Sequence, residues 1–338
     1  MVELIFPVLL ADIGGTNARF AVLPNAEHAA IPLGQTETRQ HATLGDALAN
    51  DILKRTELTP KSFVFAVAGP VHPDVTRLTN FPWEIAPRAL IAQFGLSCMI
   101  LVNDFEAQAL ALPALKAEDV VVIGEVSPAA SGTRVVVGPG TGLGAAGLID
   151  VAGMLVPVPG EGGHVGVVPV SERDFAIWPN IPRPEGATSD RLSAELLLQG
   201  VGLIRIAQAI AKTDGVVCPY AVPADVTAGA ERGEAIGVEA LSLFCSYLGQ
   251  VAGDLALVYL PKGGVFLAGG IAPRILNALK SGGFRAAFED KWPHGKVMAG
   301  FSTAVVVHPQ SGLLGLEAFS RRPEAYALDM AGRMWLPA

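Results

Sequence analysis

Three cysteines, Cys98, Cys218 and Cys245, are all that 338 residues contain, and they stand far apart, with no C-x-x-C pair and no histidine cluster nearby. That excludes a disulfide framework and predicts reduced thiols in or near a core, as in cytoplasmic proteins. Charge is sparse as well: 17% of residues are charged, 24 Lys and Arg against 32 Asp and Glu, for a formal net charge of −8. No Lys/Arg cluster interrupts that balance, so the electrostatic footprint of a nucleic-acid-binding protein is missing. An anionic ligand would have to find positive potential locally, at backbone N–H groups, helix N-termini or a bound cation. Long apolar runs are also lacking. Although 51% of residues are hydrophobic, Gly, Pro or charge breaks every run short of the roughly 18 apolar residues of a membrane span. The opening MVELIFPVLLAD has an acid at position 3 and no basic segment, which predicts a buried first strand and not a signal peptide. The expectation is a soluble cytoplasmic protein, with no membrane partner and long enough for two domains.

Apolar residues come instead in short β-branched runs at 3 to 10, 62 to 68, 98 to 103, 119 to 123, 134 to 137, 265 to 268 and 303 to 307, each the size of a buried strand. Helix-like stretches lie between them at 42 to 56, 87 to 94, 104 to 116, 193 to 211, 234 to 259 and 311 to 320. The mixture predicts an α/β protein. From Glu234 to Tyr259 apolar residues recur every three to five positions, as in a helix with one buried stripe. WPNIPRPEGATSD at 178 to 190 reads as a surface loop. RVVVGPGTGLGAAGLID at 134 to 150 echoes LLADIGGTNARFAVL near the start: strand, glycine turn with threonine, second apolar run. The echo suggests two related halves.

Three glycine turns follow apolar strands. The first, Ala11-Asp12-Ile13-Gly14-Gly15-Thr16, permits two readings. It is a hairpin turn whose glycines reach positive φ, or a loop whose bare backbone approaches a phosphate, with Asp12 near its metal and Thr16 supplying a hydroxyl. The second, Gly138-Pro139-Gly140-Thr141-Gly142-Leu143-Gly144, is no Walker A loop, because no Lys-Ser or Lys-Thr follows. It does contain G-x-G-x-x-A, with Glu161 downstream as a Rossmann acid would be. Gly147, Gly153, Pro157 and Pro159, however, keep the next segment from opening the helix such a site requires. The third, Ala268-Gly269-Gly270-Ile271, leads into Pro273, placed as a helix opener. Singly these are common turns; jointly they are better explained by one nucleotide held between two domains.

Polar residues gather in three other places. Asn103-Asp104 follows CMILV at the carboxyl end of a strand, where open α/β sheets bind ligands. Asp104 is an N-cap on one reading and a general base on the other. Glu161-Gly-Gly-His164 places two hydrogen-bonding side chains on a loop where no core needs them, and no further ligands follow at zinc spacing. Glu195 lies early in a helix capped by Ser193 or Asp190, where an acid favours the helix dipole. Together Asn103, Asp104, Glu161, His164 and Glu195 suit a ring of hydroxyls.

In this order the segments resemble the bacterial glucokinases of the hexokinase, actin and Hsp70 superfamily, the branch typified by the enterobacterial enzyme, over nearly the whole chain. DIGGTNAR and GPGTGLG look like the phosphate motifs and LAGGI like the adenosine motif. VNDFEAQA, LPGEGGHV and SAELLLQG look like the sugar-contacting segments, and LSLFCSYLG, GGFRAAFEDK and HPQSGLLG like later family sequence.

The resemblance implies a two-domain ribonuclease H-like (actin-like ATPase/hexokinase) α/β fold with a central cleft. A smaller domain of residues 1–114 plus about 309–338 and a larger one of 115–308 would close over sugar and nucleotide, usually in a homodimer. It implies transfer of the ATP γ-phosphoryl to the 6-hydroxyl of glucose at the entry to glycolysis. Asp104 would be the base; Asn103, Glu161, His164, Glu195 and Gly142 would hold sugar. Ala11, Asp12, Ile13, Gly14, Gly15, Thr16, Gly140, Thr141, Gly142, Gly269 and Gly270 would hold ATP. Mg²⁺ would bridge its phosphates, with Asp12 ordering the ion's water shell.

Two departures from relatives are visible. Ala11 stands where family members often have glycine, and VGVVPVSERD replaces the cysteine-rich zinc motif of the neighbouring ROK family, which implies no structural zinc. The alternative from another class is a catalytically inactive sugar-sensing regulator of the same fold. It would be expected to carry an N-terminal helix-turn-helix, whereas the first loop here starts a strand's length from Met1.

Overall fold

The most continuously apolar runs become strands buried on both faces, as parallel strands covered by helices must be. In the computed structural model, which describes residues 3–77, 83–186 and 191–337, these are β1 (Val8–Ile13), β4 (Ser62–Val67) and β7 (Cys98–Asn103), with β2 (Asn17–Leu23) and β3 (Ile31–Glu37) completing a first run. β5 (Thr76–Arg77) and β6 (Glu84–Ile85) form a separate pair. A second run comprises β8 (Val120–Ile123), β9 (Arg134–Pro139), β10 (Leu143–Val151), β11 (Met154–Gly160), β12 (Gly264–Leu267) and β13 (Thr303–Val306), and the chain ends on β14 (Met334–Trp335).

The two large sheets have the same plan. One runs β3-β2-β1-β4-β7-β14 and the other β11-β10-β9-β12-β13-β8. In the first, β1, β4 and β7 are parallel and β14 closes the edge antiparallel to β7. In the second, β9, β12 and β13 are parallel and β8 closes the edge antiparallel to β13. The echo between the two glycine turns is thus matched by strand order across each sheet. By internal contacts the chain forms two compact units, Met1–Lys116 with Leu148–Pro159 and His308–Ala338, and Ala117–Gly147 with Gly160–Val307.

In the first unit, alternation sorts side chains to two cores. Leu9, Ala11 and Ile13 join Phe63, Phe65 and Trp83 on one face. Val8 and Leu10 join Leu110, Leu313, Leu316 and Phe319 on the other, under the helices Asp104–Ala111 and Ser311–Arg321. Because side chains alternate along a strand, Asp12 projects to that second face. The second unit's core centres on the helix Ala235–Tyr259, whose Phe244, Tyr247, Leu248, Val251 and Ala256 are fully buried. It is the one helix among the described residues long and apolar enough to cross a membrane, and most of its apolar window is buried.

Several boundaries differ from the sequence reading, each for a physical reason. The first strand begins at Val8 and not residue 3, just after Pro7. The helix expected at 104 to 116 stops at Ala111, shortly before Pro113, which disfavours helix in the residue preceding it. The stretch 42 to 56 splits into an α-helix, Leu44–Asn50, and a 3₁₀ turn, Ile52–Arg55. The helix expected at 193 to 211 breaks at Leu198 and Gln199 into Ala194–Leu197 and Gly200–Thr213. Strands β3 and β11 went unread because both are sheet edges, where Pro32, Pro157 and Pro159 cost no ladder bond that the interior would demand.

Candidate active site

The first unit places Asp12, Asn103 and Asp104 together at the carboxyl ends of its parallel strands. Ile13, Val67 and Asn103 are in register across β1, β4 and β7. Asn103 caps the helix Asp104–Ala111: its Oδ1 accepts from Phe105 N at 2.9 Å, and Glu106 Oε2 returns the favour by accepting from Asn103 N at 3.1 Å. Asn103 Nδ2 donates to the Gly69 carbonyl at 3.2 Å. The amide oxygen keeps one lone pair for a ligand. Since Asn103 does the capping, the N-cap reading of Asp104 is corrected: Asp104 is the first helical residue, and its carboxylate accepts from Phe105 N at 3.0 Å.

Burial, and second the negative charge of Asp12, push the Asp104 carboxyl up to about 6. Burial also raises Asp12, opposed by the Arg19 guanidinium 3.9 Å away. Arg19 is a residue the sequence reading missed. Its signal was there, because a tight hairpin through DIGGTNAR makes Arg19 the cross-strand partner of Asp12.

The turn between β1 and β2 is a hairpin, closed by Gly14 N donating to Asn17 O at 3.0 Å. Gly14 and Gly15 are not among the positive-φ glycines, so turn geometry does not demand them. Their value is a bare backbone. Thr38 buttresses the turn, its Oγ1 donating to the Gly15 and Thr16 carbonyls at 2.9 and 3.1 Å. Thr16 is exposed. Ala11 and Ile13 point into the core on the face away from Asp12, which limits them to backbone roles. Gly312 packs against Asp12 from the helix Ser311–Arg321; a Cβ there would stand 2.9 Å from Asp12 Oδ2.

Within the second unit, four segments lock together around the second glycine turn. Gly140 N donates to Gly142 O at 2.8 Å, and Gly200 N, freed by the helix break at Leu198 and Gln199, donates to Gly140 O at 3.2 Å. Thr141 is exposed at its tip. Glu195 Oε2 accepts from Leu143 N at 3.0 Å and lies where a Cβ on Gly142 would fall, at 2.6 Å. Ser193 is the N-cap of Glu195's helix but its side chain caps nothing, and Asp190 lies outside the described residues.

Glu161 precedes and His164 ends a 3₁₀ turn, Gly162–His164, that rests on β10, with Gly163 against the Leu143 carbonyl. Val165 O accepts from Ala194 N at 2.7 Å, and His164 O from Arg191 Nη2 at 2.6 Å. The backbone is held while both side chains stay exposed, 3.8 Å apart. The third turn reaches the same place: Ile271 N donates to Pro139 O at 3.3 Å, with Gly269 half-buried and Gly270 exposed. The structure therefore assembles Asp12, Asn103 and Asp104 in one unit and Gly140–Gly142, Glu161, His164, Glu195 and Gly269 in the other.

Two like sheets, each with a glycine turn beyond its central strand, together with a carboxylate at the end of a parallel strand, define the ribonuclease H-like fold of actin-like ATPases and hexokinases. A family model described as glucokinase matches residues 9–323. A glucokinase from Chelativorans sp. is 48% identical over 337 residues, 99% of this chain and 97% of that one. Among solved structures, a glucokinase from an Antarctic psychrotroph superposes with a TM-score of 0.80 at 30% identity, covering 93% of this chain and 98% of its own. That of Balamuthia mandrillaris, solved in complex with glucose, shares the fold at 20% identity and a TM-score of 0.74, with 93% of each chain covered. The chain belongs to the glucokinase family of ATP-dependent hexose kinases.

Proposed function

We propose that this chain transfers the γ-phosphoryl of ATP to the 6-hydroxyl of glucose, with Asp104 accepting the hydroxyl proton. The observation that carries this reading is Asp104 itself: a carboxyl pushed up to about 6, relieved of capping by Asn103 and placed at the end of a parallel strand. A base with that pKa is ionised at neutral pH and still basic enough to take a proton in flight. Asn103, Glu161, His164 and Glu195 hold the sugar hydroxyls, with Gly142 beside them. The turn from Ala11 to Thr16, Gly140 to Gly142, and Gly269 with Gly270 hold the nucleotide through backbone N–H groups, which suits a chain with no Lys/Arg cluster.

Magnesium fits at Asp12. No group of three or more metal-ligating side chains occurs among the described residues, so a protein cage is not available there. Asp12 is a carboxylate that faces the Arg19 guanidinium at 3.9 Å and the Asp104 carboxyl. Mg²⁺ commonly keeps water and takes one or two carboxylates plus phosphates, and Asp12 would hold it through that water. When bound, the ion would neutralise charge on the phosphate oxygens. Gly312→Ala, by crowding Asp12, is expected to raise the Mg²⁺ concentration for half-maximal activity about threefold to tenfold; an unchanged magnesium titration would remove Asp12 from this role. We take the protein to be a cytoplasmic homodimer by family resemblance, which sedimentation velocity tests.

A coupled assay of ATP-dependent phosphorylation across a hexose panel tests the central reading. Glucose should far exceed mannose and fructose, and equal rates on all three would sink the assignment. The pH profile tests the base. Protonated Asp104 cannot accept a proton, so kcat/KM should fall as pH drops through about 6. Asp12→Asn removes one of the charges that raises Asp104, so the acid limb of the residual activity should move to lower pH. A limb that stays put would separate the two carboxylates.

A further inference from the structure

The family model's match ends at residue 323, yet the chain beyond it returns to the catalytic strand. β14 pairs antiparallel with β7, Met334 opposite Ile100 and Trp335 opposite Met99. Leu101 N donates to Arg333 O at 2.9 Å, and the buried Trp335 donates Nε1 to Pro73 O at 2.9 Å. Without this strap, β7 would be the sheet edge, and β7 is the strand that ends on Asn103. The other sheet covers the same edge with β8, taken from an earlier part of the chain.

The strap also carries a charge to the catalytic turn. Arg333 Nη1 donates to Glu106 Oε1 at 2.6 Å, and the Glu106 side chain is only 1% exposed. The other oxygen of that carboxylate, Oε2, accepts from Asn103 N. One buried carboxylate therefore joins the C-terminal guanidinium to the residue that caps the helix and precedes the base. A carboxylate at that depth is tolerated only with a counter-ion, and removing the counter-ion is far worse than removing both partners.

We propose that Arg333 is a positioning residue of the active site, holding the Asn103–Asp104 turn through Glu106. The effect on turnover rests on the reading of Asp104 as base and of Asn103 as a sugar contact. In Arg333→Met the buried Glu106 charge loses its partner and swings toward water, which releases Asn103 N and loosens the cap. The sugar side of the reaction suffers while the first glycine turn, held by Thr38 and β2, does not.

Arg333→Met is expected to lower kcat/KM for glucose about 10- to 100-fold while KM for ATP stays within about twofold. Arg333→Lys should keep most of the activity. Arg333→Met with Glu106→Gln should recover much of the loss, because an amide needs no counter-ion and still accepts from Asn103 N. Hydrogen exchange of the peptide spanning 99–110 should speed up in Arg333→Met and return toward wild type in the double variant. Wild-type kinetics in Arg333→Met, or an equal loss toward both substrates that Glu106→Gln does not repair, would overturn the proposal and make the strap a simple staple. Retained turnover in Asp104→Asn would instead overturn the reading of the base, and the exchange measurement, which needs no turnover, would still decide the clamp.

Discussion

Asp104→Asn is expected to turn glucose over about 10²- to 10⁴-fold more slowly, the usual worth of a positioned base, with KM for ATP little changed. The same variant should be more stable than wild type at neutral pH. Asp104 is raised in the folded protein to about 6 from an ordinary value of 3.8. A group raised on folding favours the native state below its unfolded value and loses that contribution as pH climbs through the folded one. Above pH 6 the wild-type protein therefore holds a carboxylate that would be better solvated unfolded. At roughly 1.4 kcal/mol per pK unit the penalty is about 3 kcal/mol, and an amide escapes it. Denaturant midpoints should show the variant ahead at pH 8 and level with wild type below about pH 4. Turnover kept near wild type would remove Asp104 from the chemistry. Turnover lost with no gain at pH 8 would leave the base in place and deny that burial raises it.

That strain is local to the end of β7, and the same strand shows what the sequence displays and what it hides. CMILVN, SFVFAV and VLLADI were legible as strands because parallel strands buried on both faces need no alternation, only apolar residues. The glycine turns were legible as turns for a similar reason, since glycines after an apolar run mark where a strand ends. What stayed hidden depends on distance along the chain. Arg333 and Glu106 are 227 residues apart, and nothing about either side chain names the other. The link from Glu195 to Leu143 spans 52 residues and needs the helix break at Leu198, which LLLQGVG only hints at through its glycines. The choice between an N-cap and a base at Asp104 was also beyond local pattern. Asn103 and Asp104 both make good caps, and only the backbone angles and the Glu106 hydrogen bond assign the role to Asn103.

Gly142→Ala should damage both substrates at once, lowering kcat/KM about 100-fold for glucose and for ATP alike. The new Cβ would stand 2.6 Å from Glu195 Oε2, well inside contact, so one of the two must move. Moving Glu195 breaks its acceptance of Leu143 N and shifts the acid proposed to hold a sugar hydroxyl. Moving the turn displaces Gly140, whose carbonyl is anchored to Gly200 N and whose N–H reaches the Gly142 carbonyl. Neither route spares the other partner, because Leu143 N sits one residue beyond the glycine and the carboxylate is its acceptor. Glu195→Gln makes the contrast. The amide oxygen can still accept from Leu143 N and the turn keeps its shape, so KM for glucose should rise while KM for ATP stays close to wild type. The two variants together ask whether the second glycine turn and the sugar-holding acid are one rigid piece. If Gly142→Ala raised KM for ATP alone, the turn would yield without carrying Glu195 with it, and their coupling would be no more than contact.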